Sequence, residues 1–90
     1  MLHITMLHSY YISVLRKEVF LMPLTLAPVG EGSIIKRIGG SAEVKKHLSD
    51  LGFVPGSEVT VISMLGGSVI VSVKESRIAI SREMAMKIMI

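Results

Sequence analysis

Apolar positions along this chain recur at two spacings, and the switch between them marks a short helix set among strands. Leu24 and Leu26 flank Thr25 in a short extended segment, and Pro28-Val29-Gly30-Glu31-Gly32 reads as a turn. Ser33 to Ile38 reads as a strand ended by Gly39-Gly40. Its alternation is imperfect: Ile34 and Ile35 are adjacent, and Lys36 shares a face with Ile34 and Ile38, which a β-bulge would reconcile. From Ser41 the spacing becomes helical. Ser41 suits the N-cap, Glu43 suits the positive helix end, and Val44, Leu48 and Leu51 make one apolar stripe. Gly52 supplies the left-handed residue that stops the helix, and Pro55-Gly56 fits the centre of a type II turn.

Period-two alternation then returns. Glu58 to Met64 and Ser68 to Val73 are expected as strands joined by a three-residue loop, Leu65-Gly66-Gly67. That register sets Val59 opposite Val73, Val61 opposite Val71 and Ser63 opposite Val69 on one face. The other face then carries Thr60 with Ser72, Ile62 with Ile70, and Met64 with Ser68. After a tight connection at Lys74-Glu75-Ser76, Arg77 to Ile80 is a strand with Ile78 and Ile80 inward. Ser81 caps a single helical turn from Arg82 to Ala85, and Lys87 to Ile90 closes the sheet. The expected fold is mainly β: a small barrel, one short α-helix between the first and second barrel strands, and a short helical turn near the C-terminus.

Residues 1–21 stand apart from the domain at 22–90. They lack glycine and proline, and their apolar run from Leu2 to Leu15 is interrupted by His3, His8 and Ser9. The run falls short of the about 20 apolar residues of a membrane span. Arg16 and Lys17 follow it, whereas a secretory signal places its positive charge first. The segment is either a true extension of the domain or the product of a start upstream of Met22. N-terminal sequencing of the native protein distinguishes the two.

Composition narrows the chemistry. The chain has 90 residues and no cysteine, which excludes a disulfide framework, a thiolate metal site and a cysteine nucleophile. The net charge is +3, with basic doublets at Arg16-Lys17, Lys36-Arg37 and Lys45-Lys46. Nucleic-acid surfaces cluster such charge and add aromatics for stacking, and here the aromatics are Tyr10, Tyr11, Phe20 and Phe53 alone. A small nucleic-acid-binding barrel is therefore the weakest of three readings. None of the glycine pairs has phosphate-loop spacing, and no serine sits in an activating motif. A non-enzyme is expected.

The ordered series Leu48-x-x-Leu51-Gly52-Phe53-x-Pro55-Gly56-x-x-Val59-x-Val61-Ile62 resembles the FeoA family of ferrous-iron transport accessory proteins. Leu26 to Gly32, Ile35, Ile38, Val69-x-Val71 and Ile78-Ala79-Ile80-Ser81-Arg82-Glu83-x-Ala85-x-x-Ile88 extend the resemblance over about residues 24–90. The resemblance implies a cytoplasmic, non-enzymatic SH3-like barrel. It also implies a partner, FeoB, the membrane GTPase transporter that imports Fe²⁺. A similar module occurs in DtxR-type metal-dependent repressors. The alternative is accordingly a divalent-metal-binding regulatory module, with Glu43, His47 and Asp50 as candidate ligands on one helix side. Fe²⁺ or another divalent transition metal would be held weakly there, with His3 and His8 as added ligands if the extension is genuine, and no cofactor is required. The candidate partner surface is the outer pair Ile62 and Ile70 with Leu65 at the loop tip, together with the basic helix face around Lys45 and Lys46. Self-association is a further candidate use of these surfaces.

Overall fold

The computed structural model describes residues 21–90. A 3₁₀ turn at Leu24–Leu26 leads to β1 (Gly32–Ile34) and β2 (Arg37–Ile38). Helix α1 (Ala42–Asp50) follows, then β3 (Glu58–Leu65), β4 (Ser68–Val73), β5 (Ser76–Ser81), the short helix α2 (Arg82–Ala85) and β6 (Ile88–Met89). The strands form two antiparallel sheets: four strands in the order β1-β3-β4-β5, and two in the order β2-β6. One hydrophobic cluster joins them, drawing Val59, Val61 and Val71 from the large sheet, Ile88 from the small one, and Leu48 from α1.

The single strand expected at Ser33–Ile38 is in fact two strands in different sheets. Ile34 pairs with Glu58 in the large sheet, and Arg37 pairs with Met89 in the small one. Between them Ile35 turns into the core, and its backbone bonds to Ser57 and Gly56. The adjacent isoleucines thus belong to different environments: Ile34 is half exposed and Ile35 is buried. A change of sheet, rather than a bulge, absorbs the broken alternation. Among the described residues the ladders do not close into one continuous barrel, and α1 follows the second strand instead of lying between the first and second.

The helix ends behave as their residues dictate. The Val44 amide donates to Ser41 Oγ at 3.2 Å, and the Met84 amide donates to Ser81 Oγ at 3.1 Å. At the C-terminus of α1, Gly52 takes φ +104°. Its amide donates to the Ser49 carbonyl, and the Phe53 amide donates to the Leu48 carbonyl, both at 2.9 Å. This crossed pair is a Schellman motif. The Ser57 amide then closes the Pro55-Gly56 turn on the Val54 carbonyl at 3.0 Å.

The β3–β4 hairpin corrects the expected register. Val59–Val73, Thr60–Ser72 and Val61–Val71 pair as expected. Beyond Val61 the ladder shifts by one residue: Ser63 faces Ile70, Met64 faces Val69, and Leu65 faces Ser68. The loop is therefore two residues, Gly66-Gly67, with Gly66 at φ +59° in its first position, and Ile62 is a bulge. Two constraints conflict here. The valines at the base require one register and the tight turn requires another, one residue apart. Placing the extra residue at Ile62 satisfies both, and it directs Met64 instead of Ser63 toward the core opposite Val69.

The β4–β5 turn is also tighter than expected, with Ser76 already paired to Val73. Its central residues, Lys74 and Glu75, both have positive φ, 47° and 66°. Two-residue turns of this form favour Asn-Gly, and left-handed non-glycine residues are strained by about 1–3 kcal/mol each. The double substitution Lys74→Asn, Glu75→Gly is expected to stabilise the protein by about 1–2 kcal/mol in urea unfolding. An unchanged midpoint would show that the turn carries no such strain.

Candidate partner-binding site

Helical geometry, at about 100° per residue, separates the side chains of α1 into three groups. Val44, Leu48 and Leu51 face the core. Lys45 and Ser49 occupy one flank, and Glu43, His47 and Asp50 the other, while Lys46 projects opposite the core. All six of these polar residues are exposed. Lys45 and Lys46, expected to act together, thus leave the helix in different directions.

On the outer face of the large sheet, the bulge separates Ile62 from the position opposite Ile70, which Ser63 takes. Ile62 and Ile70 are each half-buried, while Leu65 is 67% exposed at the hairpin end. Serines 68 and 72 flank Ile70 on the same face. The apolar part of this surface is therefore small, with Leu65 as its most accessible member.

Two grooves open on the surface of the described residues. A groove of about 620 Å³ is bounded by Leu21, Met22, Ser33, Ile34, Lys36 and Ile90. A second, of about 360 Å³, lies between β2 and α1. Lys45 lines it together with Lys36 and Arg37, over a floor that includes Phe53, Val54 and Pro55. None of Ile62, Leu65 and Ile70 lines it, so the two candidate surfaces are distinct. The sequence reading missed Lys36 and Arg37 as companions of Lys45. The adjacent isoleucines at 34 and 35 were the available signal, because the break they mark carries Arg37 into the small sheet beside α1, with Lys36 immediately before it.

Among the described residues no polar or charged side chain is buried. Among the same residues, no group of three His, Asp or Glu side chains is placed to hold a metal ion. Glu43, His47 and Asp50 share a flank but do not converge on one point. His3 and His8, with the rest of residues 1–20 of the candidate extension, lie outside the described residues. Phe53 is the one aromatic residue among those described and is fully buried, leaving none of them an aromatic face on which a base could stack.

The two sheets, the helix α1 and the short helix α2 define a small domain of the SH3-like class. The FeoA domain family model matches residues 22–90. The chain belongs to the FeoA family. An Fe(2+) transport protein A from Methanocaldococcus jannaschii is 43% identical over 68 residues, spanning 76% of this chain and 83% of that protein. The crystal structure of an iron uptake regulatory protein, FeoA, superposes with a TM-score of 0.70 at 28% identity, covering 79% of this chain and 95% of that one. The zinc complex of Stenotrophomonas maltophilia FeoA, described as a procaryotic SH3 domain protein, superposes at 0.65 with 23% identity, covering 74% and 86%. At that identity the likeness is one of fold.

The open flank of Glu43, His47 and Asp50 lacks the closed geometry of tight metal sites. Micromolar Mn²⁺ is expected to leave the amide resonances of residues 43–50 sharp. Paramagnetic broadening at that concentration, removed by His47→Ala, would establish the site.

Proposed function

We propose that this protein is a non-enzymatic accessory of ferrous-iron uptake, acting on the cytoplasmic side by contact with the FeoB GTPase transporter. The observation that carries the reading is the 43% identity to an Fe(2+) transport protein A along nearly the whole domain. The physical character of the surface agrees with it. The accessible features are a protruding leucine, a shallow sheet face and a basic groove, which suit recognition of another protein. In this reading the transporter carries the GTP chemistry and the iron path, and the accessory biases its conformation or assembly. Among the described residues, no helix is long and apolar enough to cross a membrane.

Leu65 is the cleanest probe of the hairpin surface. Being largely exposed, it can be changed with little effect on stability, typically within about 0.5 kcal/mol. Half-buried Ile62 and Ile70 cannot be changed so selectively. A titration of the ¹⁵N-labelled protein with the transporter's cytoplasmic GTPase domain is expected to give shifts confined to one patch. Leu65→Ser is expected to weaken binding at least about fivefold, the range of a contributing interface side chain. The absence of shifts at high partner concentration would remove that domain as the direct target.

A further inference from the structure

We infer that the groove between β2 and α1 is a recognition site for an acidic, extended peptide segment that carries an apolar side chain. The inference deepens the partner-contact reading and rests on it for the source of the segment, a stretch of the partner protein.

Charge is the first ground. Lys36, Arg37 and Lys45 line the groove, and none of the described residues that line it is acidic. The acidic residues of α1, Glu43 and Asp50, leave the helix on the opposite flank, so the helix presents Lys45 and Ser49 to the groove and turns its carboxylates away. The fold thereby gathers three of the chain's cations around one small concavity. An anionic occupant is drawn to Arg37 and Lys45 and gains from a field focused by the low-dielectric wall beneath.

The floor gives the second ground. Val54 and Pro55 line the groove above fully buried Phe53. A bare inorganic anion would leave this apolar surface unused, whereas an aliphatic side chain between acidic neighbours would cover it. A volume of about 360 Å³ sits at the small end of ligand sites, which span about 300–1,000 Å³. The groove therefore takes a short segment, not a folded domain.

Strand geometry is the third. The small sheet has the order β2-β6, which among the described residues leaves β2 with one ladder partner. Lys36, Arg37 and Ile38 all line the groove, and neither Ile88 nor Met89 of β6 does. Arg37 and Ile38, consecutive residues of β2, point to alternate faces, so their sharing one groove places it along the edge of β2 away from β6. An extended segment can add to such an edge through its main chain while its side chains meet the cations and the floor.

The test uses the full chain, ¹⁵N-labelled, and synthetic peptides. An acidic peptide with a central leucine, Asp-Glu-Leu-Asp-Glu, is compared with its glycine-centred counterpart and with the Lys-for-acid version. The leucine peptide is expected to shift Arg37, Ile38, Lys45 and Val54, with affinity falling as salt rises. Replacing its leucine by glycine, or the double substitution Arg37→Glu, Lys45→Glu, is expected to weaken binding by about tenfold. Lys74→Glu, a charge reversal at another exposed lysine, is expected to leave it unchanged. Equal binding of the Lys-for-acid peptide, shifts elsewhere, or an unaltered affinity in the double variant would overturn the proposal. So would inorganic phosphate or a single-stranded oligonucleotide shifting these residues more strongly than the peptide. The two readings fail separately. Loss of peptide binding with intact transporter binding in the double variant would remove the groove as the contact while leaving the contact itself. Peptide binding without any transporter binding would leave the groove and remove that partner.

Discussion

The hydrogen bond from the Phe53 amide to the Leu48 carbonyl is the joint on which the two halves of the domain turn. It spans the left-handed Gly52 and reverses the chain so that Phe53 and Leu48, both fully buried, meet in the core. The Pro55-Gly56 turn follows within two residues and returns the chain to Ile35 through Gly56 and Ser57, which bond to either side of that residue. In ten residues, 48–57, the chain thus leaves a helix, fills the centre of the core, and fixes the point where one edge segment divides between two sheets. A chain of this size has a small core, and truncating a buried phenylalanine commonly costs about 3–5 kcal/mol, a large part of a total near 5–15 kcal/mol. Phe53 also lines the floor of the basic groove between β2 and α1.

Much of this was legible because it is local. Ser41 and Ser81 cap helices, Gly52 stops one, Pro55-Gly56 turns, and Ile78 and Ile80 point inward, each for a reason contained within a few residues. What escaped depends on agreement between distant parts. The bulge at Ile62 arises because the valine ladder at the base of the hairpin and the Gly66-Gly67 turn at its tip require registers one residue apart. Neither constraint alone reveals it. The division of Ser33–Ile38 likewise depends on β6, whose residues lie some fifty positions later. Lys74-Glu75 lacks the residues that normally announce a left-handed two-residue turn, and the pairing of β4 with β5 holds it in that form.

The site was legible in part. Helical spacing places Lys45 on one flank of α1, and Leu65 is exposed as its place at the hairpin end implies. Yet Ile62 and Ile70 are not opposite each other, Lys46 diverges from Lys45, and Arg37 joins the groove only because its strand changes sheets. Glu43, His47 and Asp50 share a flank without forming a ligand cage, since side chains on one short helix diverge unless a second element supplies a ligand. The surface chemistry is thus set less by which residues occur than by where the chain breaks and bulges.

Native-state hydrogen exchange of the Phe53 amide tests the central claim most directly. If the joint holds the two halves together, this amide exchanges only on global unfolding, with the same free energy as the slowest amides of β3 and β4. Exchange at a markedly lower free energy, like that of the turn amides around it, would show that the helix end opens independently and that the fold does not depend on it.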